Sequence, residues 1–311
     1  MSHKIIVEVT GRIGNQLFVF AFAYALKRKL SSDVCFYCPP GFENYNYLPE
    51  LVGTEYLEST KTDLLSVGRF EYSAWPNSLW RSLSRKVIST FRKFKGLKTS
   101  SFVEKKYFAK DDEVFQLDFP VFLSGWFQNE EYFIDYADSI YEIIHRGVQS
   151  KIKDLDEIHS KIEHLKKPTV GISFRRGDYN VLNWTLPISY YERAIGYLLE
   201  RCDPGCLLLF GDDSDFIELF AERLSKHFDN VICASKNFGD NPFSDLFLLS
   251  ECDHCIIPNS SFAWWGAWLG DRKHQDCSRI VIAPDNWIGE YRGCPSSNII
   301  PNRWIQISSK R

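Results

Sequence analysis

A chain of 311 residues, 44% hydrophobic and 25% charged, can bury cores of ordinary size, and its length suggests two domains of about 150 residues each. Its 37 basic and 40 acidic residues leave a net charge of −3, which excludes binding nucleic acid through bulk positive charge. No run approaches the ~20 apolar residues of a membrane span, and the strand-like 4–9 run is too short for a signal-peptide core, so a cytoplasmic protein is expected.

In chain order, residues 4–9 read as a strand, 10–14 as a glycine turn, 15–30 as an apolar helix and 34–37 as a second strand. Residues 38–77, rich in Pro, Tyr, Asn and Gly, read as irregular. The stretch 79–98 carries Arg81, Arg85, Lys86, Arg92, Lys93, Lys95 and Lys98 without an acid, while Trp80, Leu83, Val87, Phe91 and Phe94 recur at helical spacing. Such a helix either packs on a core with its basic face in water or lies against the inner membrane face as a peripheral contact. A strand at 121–124 leads through Gly125-Trp126-Phe127-Gln128 into a helix ending near 149, and the charged 150–168 segment reads as the connection. Beyond it, strands at 169–174, 206–210, 230–234, 254–258 and 279–283 alternate with helices at 188–201, 214–227, 242–251 and 262–269. Alternation implies parallel pairing. The expected fold class is therefore α/β, with two Rossmann-like domains, 1–160 and 161–311, facing across a cleft. The C-terminal segment is expected to be able to pack back on the first domain. Ligands of such sheets bind beyond the carboxyl ends of the strands, so turns after strands are the first functional suspects.

Two Cys-x-x-Cys pairs, Cys35/Cys38 and Cys252/Cys255, lie more than 200 residues apart and sit next to apolar runs. Reduced core thiols account for them better than a zinc site.

Four constellations can carry chemistry. Gly11-Arg12-Ile13-Gly14-Asn15-Gln16 lies between a strand and a helix, where Gly14 permits close approach of a ligand. The G-x-G-x-x-G spacing of dinucleotide binders is absent, and Asn15 and Gln16 offer amides to a sugar or an oxyanion. Arg175-Arg176-Gly177-Asp178-Tyr179 follows the strand ending at Phe174, and planar guanidinium groups at a strand end suit phosphate. Asp178 either orients an arginine or accepts a proton. Asn259-Ser260-Ser261-Phe262 closes a strand and opens a helix, where hydroxyls, free N–H groups and the helix dipole favour an anion. Trp264, Trp265 and Trp268 read as core. Asp213-Ser214-Asp215 matches a metal-binding D-x-D, but a helix start explains it equally. Phosphates held without a P-loop point to a nucleotide sugar.

Gly11-Arg12-x-Gly14-Asn15-Gln16-Leu17-Phe18, Arg175-Arg176-Gly177-Asp178-Tyr179 and Asn259-Ser260-Ser261-Phe262-x-Trp264-Trp265 resemble the motifs of the α-1,2-fucosyltransferase family. Trp126-Phe127-Gln128-x-x-x-Tyr132-Phe133 is similar to a further segment of that family. The resemblance implies a GT-B fold and inverting transfer from GDP-β-L-fucose to the 2-hydroxyl of a β-galactoside. It also implies no metal or other cofactor. By the same resemblance Gly14, Arg175, Arg176, Asn259, Ser260, Ser261 and Phe262 hold the donor, and Asp245 meets its nucleoside. Gln16, Trp126 and Gln128 meet the acceptor. The catalytic candidates are Arg175 on the leaving diphosphate, Asp178 as base, and Asn15 as acceptor-orienting or leaving-oxygen support. Ser173 stands where the family usually carries histidine, two residues before the first arginine. Three other readings remain: a fucosyltransferase of another linkage, a metal-dependent transferase using Asp213 and Asp215, and a non-catalytic sugar- or nucleotide-binding protein.

Overall fold

The computed structural model describes residues 4–39, 41, 46–53, 86, 87, 90, 93, 94, 101–117, 121–152, 158, 167–235, 242–273, 278–288, 290, 291 and 294–310. The chain divides into two compact units, Met1–Ile140 and Tyr141–Arg311.

The first unit begins with β1 (Lys4–Glu8), α1 (Ile13–Leu30) and β2 (Asp33–Tyr37), followed by the short α2 (Leu48–Val52). Two further strands follow, β3 (Ser101–Val103) and β4 (Val121–Ser124). All pair in parallel in the order β2-β1-β4-β3. Ile5, Ile6 and Val7 are wholly buried, as a central strand covered on both faces requires. Helix α1 is apolar on nearly every side, with Leu17 to Ala25 buried throughout. A helix of that kind is a core element rather than a surface one. It stops at Ser31 in the left-handed region, φ 48°, with Lys27, Arg28 and Lys29 against its negative end. The chain turns to opposite sides of β1 for β2 and β4. The switch point of this sheet therefore lies between β1 and β4, beside the Gly11 and Gly125 turns.

Helix α3 (Ala137–Gln149) crosses the division between the units. The later turns of α3 lie in the second unit, where His145 stacks on Tyr141 and lies 6.1 Å from Phe247.

The second unit contains β5 (Thr169–Phe174), α4 (Gly177–Leu182), α5 (Ile188–Leu199), β6 (Cys206–Gly211), α6 (Ser214–Leu224) and β7 (Val231–Cys233). It continues with α7 (Pro242–Glu251), β8 (His254–Ile256), α8 (Ser261–Lys273), β9 (Val281–Pro284), the hairpin β10 (Glu290–Tyr291) and β11 (Cys294–Pro295), and β12 (Ile305–Ile307). Six parallel strands run in the order β12-β9-β8-β5-β6-β7, the doubly wound arrangement with its switch point between β5 and β8. At the C-terminus β12 closes the edge of the second sheet against β9. Arg193 on α5 holds the residues after it, donating to the carbonyls of Ser308 and Lys310. Trp264, Trp265 and Trp268 are wholly buried on α8. Helices α7 and α8 pack so closely that a Cβ on Gly266 would sit 2.7 Å from Leu249. Two Rossmann-type parallel α/β units in one chain are the GT-B type of fold.

The cysteines at 252 and 255 are buried free thiols. Among the described residues no group of three or more His, Cys, Asp or Glu is placed to hold a metal ion, and no helix is long and apolar enough to cross a membrane. The basic 79–98 stretch lies outside the described residues except for 86, 87, 90, 93 and 94.

Candidate active site

In the second unit, the anion-binding candidates gather on both sides of the β5/β8 switch point. Arg175 follows β5 directly and is largely buried. Its two terminal nitrogens each hold a carboxylate at 2.7 Å, Asp178 on Nη2 and Asp212 on Nη1. Asp212 is itself fixed, because its Oδ1 accepts the backbone N–H groups of Arg176 (2.8 Å) and Gly177 (3.3 Å). The guanidinium also lies 5.3 Å from the Tyr179 ring centroid. The strand-end position thus delivers one rigid, oriented arginine fork, the form of cation suited to a diphosphate.

Arg176 does not converge with it. Its Nε donates to Asp213 at 3.1 Å and its guanidinium lies 4.0 Å over the Phe216 ring. Consecutive residues leaving a strand project to opposite sides, which accounts for the divergence. Asp213 also caps α6, accepting from the Phe216 N–H at 3.1 Å. Asp213 is therefore engaged twice by the protein, and Asp215 lies in the exposed first turn of the same helix.

Beyond β8, Asn259 and Ser260 are buried just ahead of α8, whose first residue is Ser261. The Ser260 carbonyl accepts from the Trp264 N–H at 2.9 Å and begins the helical ladder. Asn259 ties this turn to the segment after β5: its Nδ2 donates to the Trp184 carbonyl (2.9 Å), and the Tyr179 hydroxyl donates to the Asn259 carbonyl (3.0 Å). Burial pushes the Tyr179 phenol up to about 12, so it remains a neutral donor. Phe262 occupies the first turn of α8. Ser173 is buried in β5, in register with Phe210, and no imidazole stands there.

Asp245 lies in the first turn of α7 and is nearly buried. Its Oδ2 accepts from the Ser235 hydroxyl at 2.5 Å, and that hydroxyl accepts from the Gly211 N–H at 3.0 Å. Burial pushes its carboxyl up to about 6, and its buried Oδ1 has no partner among the described residues. A carboxylate with an open buried oxygen is built to receive an N–H donor.

In the first unit, the Gly11 turn is equally organised. Gln16 is buried, donates from Nε2 to the Gly11 carbonyl (2.9 Å) and accepts the Tyr47 N–H (2.9 Å). Gly11 takes φ 77°, and a Cβ there would meet Asn15 Nδ2 at 2.5 Å, so glycine is required. Gly14 lies buried in the first turn of α1. Asn15 Oδ1 accepts from Gln128 Nε2 at 2.9 Å, which joins the two motifs of this unit. Trp126 is partly exposed, with its ring edge-on to Tyr107 at 5.7 Å.

Asp212 and Ser235 hold the candidate residues Arg175 and Asp245, and neither stands out in the sequence as a site residue. Asp212 had a usable signal, since it follows Gly211 at the end of the strand beside β5 and so faces strand-end arginines. A cavity of about 870 Å³ in the second unit lies elsewhere: Gly205, Cys206 and Asn230 border it at the amino ends of β6 and β7, away from these side chains.

The model of the family described as "Glycosyl transferase family 11" matches residues 4–308. The chain belongs to this family. Its chemistry is accordingly glycosyl transfer. The chain is 28% identical over 311 residues to an alpha-1,2-colitosyltransferase of Escherichia coli, covering 97% of this chain and 98% of that protein. It is 23% identical over 307 residues to a putative galactoside 2-alpha-L-fucosyltransferase of Caenorhabditis elegans, covering 96% of this chain and 77% of the relative. Among solved structures, a mutant of Arabidopsis thaliana FUT1 in complex with GDP superposes with a TM-score of 0.51 at 11% identity, over 95% of this chain and 74% of that one. At that identity the likeness concerns the fold alone.

Proposed function

We propose that this glycosyltransferase moves L-fucose from GDP-β-L-fucose to the 2-hydroxyl of a terminal β-galactoside, with inversion to an α-1,2-linked fucoside and without a metal. The observation that carries the reading is the pairing of an oriented Arg175 fork with the buried Asn259–Ser260 turn and the start of α8, on the two sides of the β5/β8 switch point. A leaving diphosphate accumulates charge as the fucose–oxygen bond breaks, and preorganised donors aimed at that charge are the largest catalytic contribution available. The donor nucleoside fits Asp245, whose open oxygen would accept N–H groups on the Watson–Crick edge of guanine.

In this reading Asp212 is the permanent partner of Arg175, anchored by two backbone N–H groups. Asp178 is the exchangeable one: it is 45% exposed, and a phosphate oxygen takes its place on Nη2. Its role is then to orient the arginine before the donor binds rather than to act as base, and the acceptor hydroxyl's proton passes to the departing diphosphate or to solvent as the new bond forms. Arg176 supports the loop through Asp213, and its contribution to the donor is indirect. Asn15, Trp126 and Gln128 meet the acceptor, while buried Gln16, with its Nε2 on the Gly11 carbonyl and its Oε1 on the Tyr47 N–H, holds the turn that carries Asn15.

A second donor is favoured by a specific observation, the similarity to an alpha-1,2-colitosyltransferase. Colitose is fucose lacking its 3-hydroxyl, so the two donors differ by one polar group. The decisive experiment offers purified protein labelled GDP-fucose and GDP-colitose in parallel with a panel of β-galactosides and assigns the product linkage by NMR. Transfer to O2 of galactose from GDP-fucose is the expected outcome. Transfer only from GDP-colitose, or to another hydroxyl, would replace the donor or linkage assignment. Binding of GDP without transfer from either donor would favour a non-catalytic protein.

A further inference from the structure

Glu104 directly follows β3 and is 1% exposed. Its carboxylate grips the turn that leaves β4. Oε2 accepts the N–H groups of Trp126 (2.7 Å) and Phe127 (3.1 Å), and Oε1 also accepts from Phe127 (3.1 Å). Its own backbone N–H donates to the Ser124 carbonyl at 2.9 Å, so one residue holds Ser124 to Phe127 from both ends.

The turn is shaped to receive it. A Cβ on Gly125 would lie 2.5 Å from Glu104 Cβ and 2.8 Å from its Oε2. Phe127 adopts φ 49°, a left-handed conformation that a non-glycine residue keeps only when its surroundings impose it. Its ring stacks on Phe22 at 3.8 Å, and Asn129 anchors the far side of the turn on the Phe108 carbonyl at 2.8 Å. The next residue along the clasped turn is Gln128, which is 5% exposed. Its Nε2 reaches Asn15 Oδ1, and its Oε1 accepts no hydrogen bond among the described residues. Sugars are recognised by such fixed amides, which offer donor and acceptor together.

Stability alone does not explain a carboxylate here. Burial pushes its carboxyl up to about 7, with Asp111 adding repulsion against the pull of the two N–H groups. A buried ionisable group that is costly to keep and specifically hydrogen-bonded is explained by what it places.

We propose that Glu104 is a positioning residue for the acceptor: by clasping the Trp126 and Phe127 N–H groups it sets Gln128, and through Gln128 the Asn15 amide, in the geometry that receives a sugar hydroxyl. This rests on the reading in which Trp126 and Gln128 meet a β-galactoside.

The test is a kinetic cycle of Glu104→Gln, Gln128→Ala and the double variant, with acceptor KM, kcat and the GDP dissociation constant measured for each. Glutamine keeps the size of Glu104 but turns an amide N–H₂ toward the turn in place of one oxygen. Loss of a charge-assisted hydrogen bond predicts a rise in acceptor KM of about tenfold with GDP affinity unchanged. The double variant should be no worse than the weaker-binding single one, because both changes break one chain of contacts. An unchanged acceptor KM in Glu104→Gln, multiplicative losses in the double variant, or an equal loss of GDP affinity would each overturn the proposal. If Glu104→Gln does not fold, Gly125→Ala presses on the same clasp from the turn. A raised acceptor KM there supports it and an unchanged one overturns it. If the wild type transfers to no β-galactoside, the acceptor reading fails by itself. The clasp is then read by hydrogen exchange: the Trp126 and Phe127 amides should exchange at least about tenfold faster in Glu104→Gln, and equal rates would reject it.

Discussion

Arg175 and Glu104 show how one side chain acquires a function from the partners a strand end gives it. Arg175 is locked between Asp178 and Asp212 at 2.7 Å on either terminal nitrogen. Arg175→Ala should reduce transfer by orders of magnitude with the fold retained, since a charge-assisted contact that strengthens at the leaving group is worth about 3 kcal/mol. Arg175→Lys should recover little, because an ammonium cannot hold Asp212 and a phosphate oxygen side by side in one plane. Turnover near wild type in folded Arg175→Ala would refute the assignment. Glu104 makes a pH-dependent contribution of the opposite kind to that of a salt-bridged acid. Its carboxyl is raised from 4.5 to about 7, so between those values the folded state binds the extra proton. Stability therefore falls as pH rises from about 4.5 to about 7, by on the order of 3 kcal/mol from this group, and levels off above. Denaturant unfolding across that range should show the slope in the wild type and its loss in Glu104→Gln. Parallel curves for the two proteins would contradict it. The two residues also differ in legibility. Arg175 announces itself as a paired arginine after a buried strand. Glu104 is one of 40 acids and resembles a solvated one until β3 is seen to place it against the Gly125 turn.

At the scale of elements, the helices and strands that build the site follow patterns the chain displays openly. The 15–30 run reads as a helix because it is apolar throughout, and it forms α1. The strands of the second unit are short apolar runs bounded by turn residues, and they form β5 to β9 close to the expected positions. What the pattern hides are the short edge elements. β3 has three residues with only Phe102 buried, and β12 is an Ile-Gln-Ile triplet with its isoleucines partly buried and its glutamine exposed. Strands of that length gain their identity from a neighbour already in place, β4 or β9, not from their own periodicity. The same dependence on context applies to the start of α8. Ser260→Ala with Ser261→Ala should weaken GDP binding, because the hydroxyls and the helix end act on the same anion. A cap loss alone would lower stability by about 1 kcal/mol and leave GDP affinity untouched. Calorimetry with GDP beside a melting curve separates the two, and a lowered melting temperature with intact GDP affinity would reduce these serines to a plain cap.

At the scale of the whole molecule, the chain is two doubly wound sheets whose candidate site residues lie in the segments that follow the carboxyl ends of strands: Asn15, Trp126 and Gln128 in the first unit, Arg175, Asp245 and Ser260 in the second. That arrangement was legible from alternation alone, because parallel sheets put their turns of one kind on one edge. In the proposed reading the second unit holds the nucleotide. Its acids at the strand ends are committed to the protein: Asp212 to Arg175 and two N–H groups, Asp213 to a helix cap and Arg176. A divalent ion would have to break these contacts to find ligands. A nucleotide that binds the folded state only should stabilise it by about 2.7 kcal/mol when its concentration is 100 times its dissociation constant. GDP should therefore raise the melting temperature, and the rise should be the same in EDTA as in Mn²⁺. Asp215→Asn should leave it unaltered, since that side chain is exposed on α6. A GDP-induced shift that vanishes in EDTA and returns with Mn²⁺ would mean that the diphosphate is carried by a metal, and Arg175 would lose its place as the principal countercharge.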